Sequence, residues 1–173
     1  MFNGTDIPEV TYNKYEMNFA PVIAQSVGNK QFQKIQQFSI ANKLHQRPMS
    51  EIVQAIAKQL LGSTYRAGLL DVSSREKLVI SLSEFDCVLF VETVLALSRN
   101  IAMQDYSFNT FSNGVRELRY RDGSMDDYCS RLHYFSEWIR DNQRRGLVQV
   151  VAQYMGGIPL NKTVNFMSSH WQS

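Results

Sequence analysis

The stretch SLSEFDCVLFVETVLAL (81–97) sets Cys87 between an acid, Asp86, and a nearly unbroken apolar run that carries one further acid, Glu92. A cysteine in that setting has two readings: a small buried hydrophobe at the start of a core helix, or a nucleophile held at a helix N-terminus. The N-terminal end of a helix stabilises negative charge and so favours the thiolate. Asp86 works the other way by adding a second negative charge beside it. Free cysteine is among the most buried residue types, so position alone gives precedence to the inert reading. A cysteine nucleophile also needs an imidazole within hydrogen-bond reach and a third polar group to orient it. The histidines available are His45, His133 and His170. His45 lies at a polar helix end and reads as surface. His133, between Leu132 and Tyr134, reads as a packing or substrate-contacting residue. His170 closes a strand-like segment and is a candidate base or substrate contact.

Other side chains carry weaker signals. Glu92 inside an apolar helix is costly unless paired, and an arginine or a buried tyrosine is the expected partner. Five residues on from Cys87, it is rotated from it by about 140°, which argues against a direct role in the chemistry. Arg119 and Arg121 have the fork geometry that binds a substrate carboxylate, although a surface role is the simpler reading. Cys129 reads as core, and Trp138 and Trp171 as packing or as a wall against a sugar. The two cysteines form neither a CxxC pair nor a disulfide framework, and the histidines lack metal-site spacing. No metal and no cofactor are expected.

The elements that must position these groups are mostly helical. Residues 1–29 read as an irregular arm broken by Pro8, Pro21 and Gly28, and residues 30–173 as one domain. A helix is expected over 30–45, with Phe32, Ile35, Phe38 and Ile40 on one face. EIVQAIAKQLLG (51–62) has helical periodicity, with Ser50 as its N-cap and Gly62 just past its end. Residues 63–74 read as a loop. The helix from Cys87 is apolar on nearly every side and therefore central, with Asp86 suited to cap it. After Gly114, residues 128–145 form one amphipathic helix with Tyr128, Leu132, Phe135 and Ile139 inward. Asp126 and Asp127 favour its start, Arg144 and Arg145 its end. The segments 146–157 and 162–170 have alternating β-branched character and read as strands. Helices followed by strands make the chain α+β.

Composition excludes several classes. A chain of 173 residues with 44% hydrophobic content is long enough to bury a real core. Its 18 basic residues nearly cancel 16 acidic ones. The richest basic segments, RELRYRDG and RDNQRR, alternate in sign and read as solvated surface, so no nucleic-acid partner is expected. No stretch approaches the roughly 20 apolar residues of a membrane span. The N-terminus is polar before its short apolar patch, the wrong order for a signal peptide. The compartment therefore stays open: cell envelope or periplasm if a signal was removed, cytoplasm otherwise.

The segment IAKQLLGSTYRAGLLDVSSREKLVISLSEFDCVLFVETVLALSRN (56–100) resembles the N-terminal part of the N-acetylmuramoyl-L-alanine amidase-like family. That family is a branch of the NlpC-type, papain-like cysteine amidases of bacterial cell-wall metabolism. The likeness continues through LRYRDG, YCSRLHYFSEWIRDNQRRGLV and VNFMSSH, over residues 50–170. It implies a papain-like fold, here mainly its helical N-terminal part with two or three short strands near the C-terminus and much of the sheet missing. Cys87 matches the nucleophile. Tyr65, in GSTY, matches a tyrosine whose hydroxyl points toward it. Arg121, His133 and His170 remain the candidate substrate contacts. The implied reaction is hydrolysis of the N-acetylmuramoyl-L-alanine amide in peptidoglycan fragments. The family's base histidine lies well downstream of NFMSSH, so the expectation is that this chain lacks it and is inactive or nearly so. Two alternatives stand beside this: a non-catalytic module binding muropeptide or a partner, and a structural helical domain. A missing sheet would expose apolar surface and favour dimerisation.

Overall fold

The computed structural model describes residues 25–158, apart from 72, 74 and 153. His170, Trp171, the 162–170 segment and most of the N-terminal arm lie outside the described residues. Helix α1 (Gln25–Ala41) begins before the expected boundary and runs through Gly28. It buries Phe32 and Ile35 but leaves Ile40 exposed. A 3-10 turn, Leu44–Gln46, leads to α2 (Met49–Gln59), which buries Ile52 and Ile56. Pro48, not Ser50, holds the N-cap position of α2. The first-turn N–H groups lack helical acceptors, so a proline without an N–H costs nothing there. Gly62 follows the helix with φ 84°, a left-handed geometry suited to glycine.

The expected 63–74 loop contains a short strand. Strand β1 (Thr64–Tyr65) pairs in parallel with β2 (Glu84–Phe85), in register Thr64↔Glu84 and Tyr65↔Phe85. One residue later α3 (Cys87–Ala102) begins. The Asp86 carboxylate accepts the N–H groups of Val88 at 2.9 Å and Leu89 at 2.8 Å, the cap its sequence position implied. Leu89, Val94, Ala96, Leu97 and Ile101 are buried, and α3 packs between α2 and α4 as the central helix.

Helix α4 (Phe108–Arg119) was not evident from the sequence, where its first half, FNTFSNG, is polar and rich in weak helix formers. Phe111, Val115 and Leu118 supply a stripe of i, i+4, i+7 spacing, and all are buried. Gly114 is an interior position of this helix. A Cβ there would lie 3.3 Å from the Ala96 Cβ, so the glycine lets α4 approach α3 closely. The reading of RELRYRDG as solvated surface is also overturned, because Leu118, Arg119 and Tyr120 are buried.

The single helix expected over 128–145 is divided. Asp127 and Ser130 form a capping box that closes a 3-10 turn at Tyr128–Ser130. Arg131 is then extended, forms an antiparallel bridge with Tyr120, and Leu132 donates its N–H to the Arg119 carbonyl at 3.0 Å. Only after this does α5 (Phe135–Arg144) begin. The interruption turns Cys129 outward, so it is exposed and not core. The described part of 146–158 makes turns, with Gly146 and Gly156 at positive φ, in place of the expected strand. The described residues are thus mostly helical with one two-stranded sheet, an α+β frame.

Asp141 ties the end of α5 to its surroundings. It accepts from Arg144 at 2.8 Å and from Arg145 at 2.8 Å, and Arg145 also donates to the Glu117 carbonyl of α4 at 2.7 Å. Burial alone would raise the Asp141 pKa, but the hydrogen bonds from Arg144 and Arg145 outweigh it and hold the carboxyl below its ordinary value.

Gly114→Val should force α3 and α4 apart and cost about 1–3 kcal/mol in urea unfolding. Because its pKa is depressed on folding, Asp141 stabilises above the ordinary aspartate range, and this is lost as pH falls through the folded value. Asp141→Asn should therefore lower the Tm by about 3–6 °C at pH 7. The difference from the parent should shrink as pH falls below the ordinary aspartate range.

Candidate active site

Cys87 is the first residue of α3 and is exposed. The helix behind it is buried while its first side chain is not, which removes the core-cysteine reading. The β1–β2 register sets Tyr65 opposite Phe85, two positions before Cys87, and Tyr65 is 71% exposed. Sheet pairing therefore brings the two residues that the resemblance coupled to one end of α3, both open to solvent. In the first turn Asp86 takes the N–H groups of Val88 and Leu89, and Phe90 donates to the Asp86 carbonyl at 3.1 Å. The Cys87 N–H has no such partner among the described residues and is free to donate.

A cleft of about 200 Å³ lies beside the cysteine, lined by both its chain neighbours, Asp86 and Val88. Gly68, Leu70 and Asp71 form one wall; Tyr128, His133 and Phe135 form another. Trp138, Arg119, Arg131 and Glu92 also line it, and all four are buried.

Charge in the cleft is matched almost group for group. The Arg119 Nε donates to Glu92 Oε2 at 2.8 Å, its Nη1 to the Val79 carbonyl at 2.5 Å, and Trp138 Nε1 to Glu92 Oε1 at 3.1 Å. The arginine partner expected for Glu92 is thus present, and it is Arg119, whose side chain is 2% exposed. Burial raises the Glu92 pKa, and Arg119 and Trp138 offset only part of that cost. Arg131 pairs with Asp71 at 2.9 Å and sits 3.6 Å from Glu76. Its guanidinium lies 5.0 Å from the centre of the Tyr128 ring, within cation–π range. Tyr120 donates to Glu76 at 2.7 Å, and burial together with this bond raises its pKa.

The candidates from sequence separate accordingly. Cys87 and Tyr65 share the end of α3, and His133 lines the neighbouring cleft. The His133 Nε2–H donates to the Tyr128 carbonyl at 2.7 Å, and the two rings lie 4.2 Å apart. Arg121 is half-exposed, pairs with Glu137 at 2.7 Å, and does not line the cleft. His45 stands on the 3-10 turn before α2, also away from the cleft. Arg131 and Asp71 drew no attention in the sequence; their pairing spans 60 positions and has no local signature. Among the described residues no group of three or more His, Cys, Asp or Glu is placed to hold a metal, and no helix is long and apolar enough to cross a membrane.

A central, capped helix with a cysteine at its head and a cleft beside it, on a mostly helical α+β frame, defines the class of domain. Residues 55–172 match the family model described as N-acetylmuramoyl-L-alanine amidase-like, and the chain belongs to that family. It is similar to the crystal structure of an N-acetylmuramoyl-L-alanine amidase from Bacteroides uniformis, with 34% identity, TM-score 0.63, and coverage of 70% of this chain and 51% of that one. A candidate xylanase from Bacteroides fragilis is similar at 34% identity and TM-score 0.60, covering 67% of this chain and 50% of the other. A protein from Legionella pneumophila at 24% identity and TM-score 0.54, over 70% of this chain and 40% of that one, shares the fold. No curated protein matches. The chain spans about half the length of the solved amidase it matches.

Glu92→Gln should leave Arg119 buried without a counter-charge and cost about 3–5 kcal/mol in urea unfolding. The double variant Glu92→Leu with Arg119→Met, which removes both charges, should recover most of that loss.

Proposed function

We propose that this chain is the nucleophile-bearing part of a cysteine amidase of the NlpC-type, papain-like superfamily. Its reaction is hydrolysis of the amide between N-acetylmuramic acid and L-alanine in peptidoglycan fragments. The observation that carries the reading is the geometry at Cys87: an exposed thiol at the head of a capped helix, its own N–H without a partner among the described residues, beside a cleft lined by its two neighbours. Membership of the amidase-like family supplies the substrate class.

The chemistry follows from that placement. The Cys87 thiolate adds to the scissile carbonyl carbon, and the carbonyl oxygen becomes an oxyanion to which the Cys87 N–H donates. Collapse of this adduct expels the alanine nitrogen, which takes up a proton and leaves as an amine. A thioester between Cys87 and the muramoyl carbonyl remains. Water then cleaves it, restoring the thiol and releasing the sugar acid. Tyr65, held at the same end of α3 by the strand register, is placed to orient the substrate carbonyl or the thiol. His133 lines the cleft as a substrate contact, with its Nε2–H committed to Tyr128. Arg121, which does not line the cleft, and His170 remain candidate substrate contacts.

A glycosidase reading, raised by the candidate xylanase, finds less support. Most glycoside hydrolases use two carboxyl groups facing each other about 5–9.5 Å apart. Here Glu92 is bound to Arg119 and Trp138, Asp71 to Arg131, and Asp86 to the helix cap.

The test is release of an L-alanine-headed peptide from an N-acetylmuramoyl peptide, followed by mass spectrometry, by the protein that carries this chain. Cys87→Ala should reduce release at least about a thousand-fold with folding intact. Persistent release would overturn the nucleophile assignment, whereas binding with no turnover in the parent protein would point to a muropeptide-binding module.

A further inference from the structure

The cleft beside Cys87 has a composition that discriminates between the two halves of a muramoyl-peptide. It is lined by three carboxylates, Asp71, Asp86 and Glu92, against two guanidiniums, Arg119 and Arg131. Both guanidiniums are already neutralised: Arg119 by Glu92 at 2.8 Å, Arg131 by Asp71 at 2.9 Å with Glu76 at 3.6 Å. Among the described lining residues neither guanidinium is left over to balance an incoming carboxylate, and a ligand anion would face an excess of carboxylates over guanidiniums in a partly desolvated site. The unpartnered Arg119 Nη2 and Arg131 Nε are themselves buried and offer that anion no exposed donor.

The walls have a matching character. Tyr128, 58% exposed, lies tilted against His133 with ring centres 4.2 Å apart, and Phe135, 50% exposed, stacks on Trp138 with ring centres 5.5 Å apart. Each pair leaves an aromatic ring at the cleft on either side of Arg131 and Leu132. Aromatic faces carry negative charge density, and the C–H face of a pyranose is their natural complement.

We propose that this cleft takes the uncharged N-acetylated sugar half of the substrate, with Tyr128 and Phe135 as its stacking faces, rather than a carboxylate-bearing peptide half. The proposal rests on the amidase reading for the bond that is cut, but its binding is measured separately. The isotope-labelled chain is titrated, by NMR, with the methylamide of N-acetylmuramic acid, with the free acid, and with the dipeptide L-Ala–D-Glu.

The methylamide should shift the resonances of Tyr128, His133 and Phe135. It should bind about fivefold more tightly than the free acid at low ionic strength, a gap that narrows as salt is added. Tyr128→Ala and Phe135→Ala should each weaken methylamide binding by about tenfold; both rings are surface residues, and circular dichroism verifies the fold. If the dipeptide shifts these resonances with equal or greater affinity, or no sugar shifts them, the proposal is overturned. Sugar binding by a protein that never cleaves the amide would overturn the amidase reading alone. Cleavage with a KM unchanged by Tyr128→Ala and Phe135→Ala would overturn the sugar assignment alone.

Discussion

The buried pair between Glu92 and Arg119 organises this molecule. Its two residues sit on α3 and α4, Trp138 of α5 completes the carboxylate, and the second arm of Arg119 reaches the Val79 carbonyl ahead of β2. One contact therefore fixes three helices and the strand that delivers the chain to Cys87. A buried ion pair adds little net stability, because desolvation consumes most of the attraction. What it imposes is uniqueness, since any packing that separates the partners strands a charge in an apolar interior. The elevated pKa of Glu92 is the signature of that cost.

The site inherits its order from this arrangement. With the body of α3 immobilised, its first turn projects at a fixed place, and Asp86 spends its carboxylate on two backbone N–H groups. Among the described residues nothing accepts the neighbouring N–H of Cys87. The cleft is then bounded on one side by this helix end and on the other by the Tyr128–Phe135 segment, where Asp127 and Ser130 close a 3-10 turn and the chain runs extended before α5 begins.

Features governed by local chemistry were readable in the sequence. The run after Cys87, its aspartate cap, the periodicity of EIVQAIAKQLLG and the need of Glu92 for a cationic partner all involve residues within a few positions, or a single unavoidable cost of burial. The features missed depend on distant pairings. Arg119 looked solvated because its neighbours alternate in charge, yet its partner lies 27 positions away. Helix α4 is written in weak helix formers and owes its existence to packing against α3. Cys129 looked buried only while residues 128–145 were taken as one helix; the capping box that breaks the pattern needs Asp127 and Ser130 to be read together. The strand nature of Thr64 and Tyr65 is conferred by residues 84 and 85, and nothing nearby announces it. The expectation that couples Tyr65 to Cys87 came from the resemblance; the strand register adds that both stand at one end of α3.

That pairing of β1 with β2 separates two tasks along the chain. The distance from Tyr65 to the head of α3 is set by strand register, not by the length of the segment 66–83 that joins them. Lengthening such a connection costs little, because closure entropy grows only logarithmically. Yet Gly68, Leu70 and Asp71 within that segment form a wall of the cleft. Insertions and deletions there can remodel the shape of the cleft while the tyrosine and cysteine stay in place, so this architecture lets the wall drift in evolution without disturbing the head of the helix.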